Sequence, residues 1–474
     1  MAVKLYQHPD YVANKGDWRK WRDLYDAEHK TLVNNPDYLW PHYVEEVGKH
    51  KERLLRGRKR RSRYLEIPEI VVSLWTSYFF RHEPTLSEET QELLGEAIDN
   101  LDGQGMPFDV LSLKATEVFL QAGKVMLLVD APSTGGDIQP YMQILHPLDV
   151  PDWETESEDP SRFGRFNLFR REYIRTEQRA SLAEKPEQSM ISDVYMRMAD
   201  GLIQVTRYKR KVDKRSTVII SEGESWELEE TFDLTLSEIP VVVLEDQSWI
   251  KGVCEETLRH FNLRSARDNI QHQQGYKTVF LIGLDPQDAQ QVNAVSENTW
   301  PILPTGADVK EITPVDTTSY DRNIQEALSA AFRVGLNQLR QMASDSRAPQ
   351  SAEALSEEKD ERVALVESTI SRLETFLNHA LLVFAEFKGD TSFVPSVSLN
   401  RDITSEDFDE FARLYLTFAN QFRSNPQYDK AAFQKALGQM FSEAELAELE
   451  EQATIQQTTA ATLEGALDGD DPQS

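Results

Sequence analysis

The stretch VLSLKATEVFLQAGKVMLLVDAP, Val110 to Pro132, decides how the fold is read. Residues 110–121 carry helix formers with an apolar face, Gly123 interrupts them, and 124–129 is a strand-sized apolar run ended by Asp130-Ala131-Pro132. The following Thr134-Gly135-Gly136-Asp137 has the composition of a hairpin turn, since no lysine or opening helix comes after it to cradle a phosphate. The apolar run at Val125 to Val129 is far shorter than the roughly 18 residues a membrane-crossing helix needs. With helices before this stretch and strands after it, the fold class is α+β.

Upstream, the chain reads as helices in pieces. Trp18, Trp21 and Tyr25 recur at helical spacing on a helix opening near residues 14–17. Pro68 precedes an apolar helix through Val71, Leu74, Tyr78 and Phe79. Ser87-Glu88-Glu89-Thr90 opens another, with its acids in the first turn where the helix dipole favours them.

Downstream, the texture from 141 to about 244 is β. Residues 143–150 form a strand running into a turn, and short strands are expected at 166–174, 194–198, 203–210, 216–220 and 241–244. A helix at about 254–274 has only a thin apolar stripe, Leu258, Phe261 and Ile270, and buries little by itself. Another at about 319–342 is apolar at Ile324, Leu328, Ala331 or Phe332, Leu336 and Leu339, and 276–314 between them is β-rich. Val363, Val366, Ile370, Leu373, Leu377, Leu381 and Phe384 mark a helix of roughly 50 Å over about 351–387, its first turns mostly charged. A short strand at 394–399 and three acidic helices follow, and the end of the chain has the composition of a disordered tail.

The 474 residues carry 51 basic and 80 acidic side chains, a net charge of −29. Such a chain does not attract a nucleic-acid backbone, which needs clustered Lys and Arg to displace counterions, although it can surround one. Against that background residues 49–63, KHKERLLRGRKRRSR, hold nine Lys or Arg and one Glu. Arg56, Arg58, Lys59, Arg60, Arg61 and Arg63 are candidate contacts to DNA phosphate or to an acidic neighbour. The alternative is a solvated helix face paired with carboxylates of the same or an adjacent subunit.

Chemistry leaves little trace. The single cysteine, Cys254, excludes a disulfide or thiolate cluster within the chain, favours a reducing compartment and reads as a buried structural thiol. No apolar signal core opens the sequence. There is no phosphate loop, H-E-x-x-H, G-x-S-x-G or EF-hand pattern, and His260 and His272 are too far apart on one expected helix to chelate. Catalytic residues, metals and cofactors are therefore not expected, and an assembly component is favoured over an enzyme. The rival is a metal-dependent hydrolase or nuclease that uses some of the many carboxylates and acts as a small oligomer.

Taken in order, the segments resemble the portal proteins of tailed bacteriophages, the head-to-tail connector family. The features are His8-Pro9-Asp10-Tyr11 followed by Trp18 to Asp23; the basic block before an apolar helix; the helix leading through Ala122-Gly123 into the strand that ends Val129-Asp130-Ala131-Pro132; Leu145 to Trp153; the helix, β insert and helix of 253–342; and Gln350 to Leu355 opening the long helix. The resemblance implies a portal fold. An α/β wing would span 1–250, helical first and then β-rich, with stem helices at 251–275 and 319–342 carrying a small β-rich clip at 276–318. A tunnel loop at 343–350, a long wing helix at 351–390, a helical crown at 391–455 and a disordered tail at 456–474 would follow.

It also implies a ring, normally of twelve subunits, at one capsid vertex of the virion, assembled in the host cytoplasm without a membrane. Double-stranded DNA would pass through without sequence specificity during packaging and ejection. The partners implied are the terminase large subunit and then the head-to-tail adaptor, with major capsid and scaffold proteins around the ring. Ser344, Asp345, Ser346, Arg347 and Gln350 would belong to the tunnel loop, and Glu357, Glu358 and Asp360 would face the channel. Asp285, Gln287, Asp288, Glu297 and Trp300 would belong to the docking surface of the clip.

Overall fold

A run of helices, a run of strands and a second set of helices make up a computed structural model that describes residues 3–47, 51–131, 139–155, 166–176, 188–211, 226–274, 279–282, 308–311, 316–336, 352–390 and 393–401. Side chains are described there except at 44, 211, 273–274, 279–282, 308–311, 336, 352–363 and 365. The chain divides into two units, Met1–Asp402 and Ile403–Ser474, and every described residue belongs to the first.

The N-terminal helices are α1 (Pro9–Asp26), α2 (His29–Asn34), α3 (Tyr43–Val47), α4 (Lys51–Arg61) and α5 (Ile67–Phe79). Helix α1 opens earlier than expected from its aromatic spacing. Proline suits a first turn that needs no N–H partner, and the His8 ring accepts from the Asp10 N–H at 3.2 Å. After β1 (Thr85–Leu86), the Ser87 hydroxyl caps α6 (Glu88–Leu94) by accepting from the Thr90 N–H at 3.3 Å.

Helix α7 (Phe108–Ala122) passes through Gly123 into β2 (Lys124–Asp130), as the deciding stretch indicates. Gly123 closes the helix at φ +71° while its N–H donates to the Phe119 carbonyl at 2.7 Å. Its own carbonyl accepts from the Asp246 N–H at 2.6 Å, and a Cβ there would sit 2.5 Å from the Ser248 backbone nitrogen. Only glycine satisfies both demands.

The strands that follow are β3 (Tyr141–Leu145), β4 (Asp152–Thr155), β5 (Phe166–Thr176), β6 (Gln188–Arg197), β7 (Ile203–Lys211), β8 (Glu227–Leu234) and β9 (Val241–Glu245). Strand β2 lies between β3 and β9 in an antiparallel sheet, and β4 to β8 form a five-stranded antiparallel meander. Asp130 pairs with Tyr141, so β2 and β3 make a hairpin around the Gly-Gly segment, which itself lies outside the described residues. Met126 and Leu128 pack with Phe169, Tyr195, Ile203 and Val205 of the meander. Val125, Leu127 and Val129 alternate to the other face and are equally buried, which explains why β2 is an unbroken apolar run.

Strand β8 was not expected. Its sequence, ELEETFDL, is poor in strand formers. Cross-strand pairing compensates, with Glu229 on Arg175 and Glu230 on Arg207. The strand expected at 216–220 lies outside the described residues.

The last elements are α8 (Lys251–Gln274), β10 (Val279–Ile282), β11 (Asp308–Glu311), α9 (Thr318–Leu336), α10 (Ala352–Phe387) and β12 (Val397–Ser398). Helices α8 and α9 pack antiparallel. At one end a Cβ on Gly252 would lie 2.6 Å from Val334, and at the other Arg267 meets Asp321 at 2.9 Å. Between them in sequence, β10 and β11 pair antiparallel. Helix α10 packs on β2 and β9 and buries Val366, Ile370, Leu373, Leu377, Leu381 and Phe384 of the expected stripe, the side chain of Val363 lying outside the described ones. Strand β12 pairs with β1.

The expectation of a thinly buried α8 needs correction. Besides Leu258 and Phe261, it buries Val253, Cys254, Thr257, His260, Asn262 and Ser265. Thr257 and Asn262 are satisfied within the chain: the Thr257 hydroxyl donates to the Val253 carbonyl at 2.7 Å, and the Asn262 amide donates to the Tyr38 carbonyl and accepts from the Trp40 N–H, both at 2.8 Å. Burial of those two side chains is cheap on such terms.

Candidate functional site

The basic block is the one sequence-selected cluster whose side chains are described. Helix α4 is held by Arg58, which lies 1% exposed beneath it. Its Nε donates to Glu45 Oε1 at 2.8 Å and its Nη2 sits 2.8 Å from Glu45 Oε2, while Nη2 also donates to the Trp40 carbonyl at 2.6 Å and Nη1 to the Ser265 hydroxyl at 3.3 Å. Ser62 and Ser265 hydroxyls meet at 2.6 Å beside it. Arg58 therefore departs from the surface expectation: both ends of its ion pair are buried inside one subunit, and it reaches neither DNA nor a neighbour.

The remaining cations divide by helical angle. At about 100° per residue, Arg53, Arg56 and Arg60 fall within about 40° of the direction opposite Arg58. All three are exposed, as are Lys51 and Arg63. Among the described residues none of these five has an ion-pair or hydrogen-bond partner. On the flanks, Lys59 donates to Asn34 Oδ1 at 3.0 Å and Arg61 to Asn269 Oδ1 at 2.7 Å, so both are committed within the chain. Among the described residues the self-pairing alternative holds for Arg58 alone, through a buried contact rather than a solvated one. Leu55 and Ser62, on the Arg58 side of the helix, are the sequence signal that marks the inward face.

Beneath α4 the seam with α8 stays cationic. Arg264 is half-buried with its Nε unpartnered, and burial, then Arg267 and Arg63, lower its pKa against the opposing pull of Asp268. His260 is buried with Nδ1 unpartnered, and its pKa is pushed down to about 3, chiefly by burial and then by Arg264 and Arg267. Below its ordinary value of 6.5 the unfolded chain takes up a proton that the folded chain refuses, so this contribution to stability is lost as pH falls from 6.5 toward 3. His260→Leu is expected to flatten the pH dependence of unfolding across that window by about one proton. Denaturant titrations at a series of pH values check it, and an unchanged slope contradicts it.

A second charged cluster escaped the sequence reading. Asp193, 0% exposed, pairs with Arg171 at 3.0 Å and Arg207 at 2.7 Å across β5, β6 and β7, and Arg171 reaches Asp130 at 3.5 Å. The strand register that joins these residues was not legible in advance. Every carboxylate there faces a guanidinium, so the cluster ties the meander to the three-stranded sheet. The Cys254 thiol is buried and its pKa is raised by that burial, which keeps it protonated. No group of three or more His, Cys, Asp or Glu among the described residues is placed to hold a metal ion, and no described helix is long and apolar enough to cross a membrane.

Ser344, Asp345, Ser346, Arg347 and Gln350 lie outside the described residues, as do Asp285, Gln287, Asp288, Glu297 and Trp300. Glu357, Glu358 and Asp360 fall in the first turns of α10, where the backbone alone is described.

No protein-family model matches the chain, and no curated protein does. Among solved structures it is similar to a chain in the neck of a native gene transfer agent particle computed with C12 symmetry, at 12% identity and a TM-score of 0.36 over 77% of this chain and 88% of that one. It is also similar to a chain in the virion of the native gene transfer agent particle and to one in the neck of the empty particle computed with C6 symmetry, each at 12% identity and a TM-score of 0.37 over 81% of this chain and 94% of the other. Likeness this distant carries no argument about function.

Proposed function

We propose that the chain is a portal-type subunit of a phage or phage-like particle, twelve copies of which form the ring through which DNA is packaged and ejected. The observation that carries this reading is the antiparallel pair α8 and α9 with the β10–β11 pair between them in sequence, followed by the 36-residue α10 laid on a three-stranded sheet. In the portal layout these are stem, clip and long wing helix, with the remainder of 1–250 as wing, 343–350 as tunnel loop and 391–455 as crown. Terminase and later the adaptor dock on the clip, and capsid and scaffold proteins surround the ring.

The mechanism is electrostatic. Copies at −29 each give a dodecamer a formal charge of about −350, felt by DNA within a Debye length of about 8 Å. A wall of that sign lets DNA slide without adhering while the terminase motor supplies the work. Mass measurement and negative-stain imaging of the purified chain test the assembly. A ring near twelve times 54.3 kDa with a central hole is expected. A monomer or dimer would overturn the portal reading and favour the metal-dependent hydrolase or nuclease, or an adaptor.

A further inference from the structure

The exposed face of α4 has a counterpart elsewhere on the same chain. Residues 49–63 hold nine Lys or Arg and one Glu, whereas residues 83–113 hold eight Asp or Glu and no Lys or Arg. The two segments are therefore equal and opposite in formal charge. In the acidic one, Glu88, Glu89 and Glu92 on α6 are exposed, as are Glu96 and Asp99 in the following 3-10 turn. Glu88 and Glu92 are four apart on α6, and Arg53, Arg56 and Arg60 recur at three and four on α4, so the two sets form ridges about 6 Å and about 10 Å long.

Within one subunit the two ridges do not meet. Among the described residues these side chains form no ion pair with each other or with anything else. Between them in sequence stands α5, a buried helix of 13 residues and so about 20 Å from end to end. Complementary faces on one chain that do not pair with each other suit a head-to-tail contact between successive copies, the contact type that forms a ring when the rotation between copies closes.

We infer that the Arg53, Arg56 and Arg60 face of α4 on one subunit docks on the Glu88, Glu89 and Glu92 face of α6 on the next. This rests on the ring reading above and adds which surfaces meet. DNA is the less favoured occupant, because the ridge already has on its own chain a carboxylate ridge of matching charge. Arg58 supports the contact indirectly: anchored to Glu45 and to the Trp40 carbonyl, it fixes the rotation of α4 and keeps the other arginines pointing outward.

The test uses the full chain in three forms: R53E/R56E/R60E, E88K/E89K/E92K and the two combined. Each triple reversal is expected to lower the ring fraction at least tenfold in about 0.1 M salt, read by sedimentation and negative stain, and the combined variant is expected to recover it. Unchanged thermal unfolding establishes that the variants are folded. Wild-type rings that neither triple reversal disturbs overturn this interface and leave the ring reading intact, as does a combined variant no better than its parents. A basic-face variant that forms normal rings but loses retention on a duplex-DNA column shows the face to be a DNA contact and equally overturns the proposal. Wild-type chains that remain monomeric remove the ring reading and this interface with it.

Discussion

Arg58→Ala is expected to cost about 3–5 kcal/mol of folding stability, because it leaves the Glu45 carboxylate buried with no cation beside it. The loss exceeds the value of the ion pair itself, since the Trp40 carbonyl and the Ser265 hydroxyl lose a donor in the same step. Arg60→Ala, on the same helix but on its exposed side, is expected to stay within about 0.5 kcal/mol. Replacing both partners, Arg58→Met with Glu45→Leu, should recover much of the loss, because the desolvation cost of both charges disappears together. Urea titrations of the wild type and these three variants decide the matter. Equal effects at Arg58 and Arg60 would contradict the buried clamp.

The second large effect is expected at Gly123. An alanine there must adopt a left-handed backbone at φ +71° and place its Cβ 2.5 Å from the Ser248 nitrogen and 2.6 Å from the Asp246 carbonyl oxygen. The backbone alone costs roughly 1–2 kcal/mol. Overpacking against main chain that cannot swing aside brings the expected total to about 3–5 kcal/mol. Gly201, at φ +89° with nothing within 4 Å of an added methyl group, serves as control: Gly201→Ala should show the backbone cost without the clash. Thermal unfolding of both variants separates the two contributions, and equal losses would show that the approach of residues 246–248 is not what fixes glycine at 123.

These two residues also show what the sequence could and could not reveal. The turn at Gly123 was legible because a glycine between a helical pattern and an apolar run has few other meanings. The stripe of α10 was legible because seven apolar positions at helical spacing leave no other face to bury. Strand β8 was not, since what stabilises it is supplied by arginines on other strands, and pairing partners distant in sequence leave no local mark. Arg58 was hidden for the opposite reason. In a run of cations the residues look alike, Leu55 and Ser62 are the one weak mark of the inward face, and it is the place of Arg58 over Glu45, Trp40 and Ser265 that separates the buried one from the exposed ones. The same limit misled the reading of α8, whose polar side chains count as solvent-facing until their partners on other elements are known.

The order in which the three-stranded sheet closes has a cost during synthesis. One edge of β2 is covered by β3 almost as soon as it is made, whereas the other waits for Val241–Glu245. At ribosomal speeds of roughly 5–20 residues per second, that interval is on the order of ten seconds. The cover provided by Ala352–Phe387 comes later still. For that time a nascent chain presents an apolar strand with an unpaired edge, a template for other chains. Yield of soluble protein should therefore be governed by elongation rate and chaperone supply, even when the finished subunit is stable.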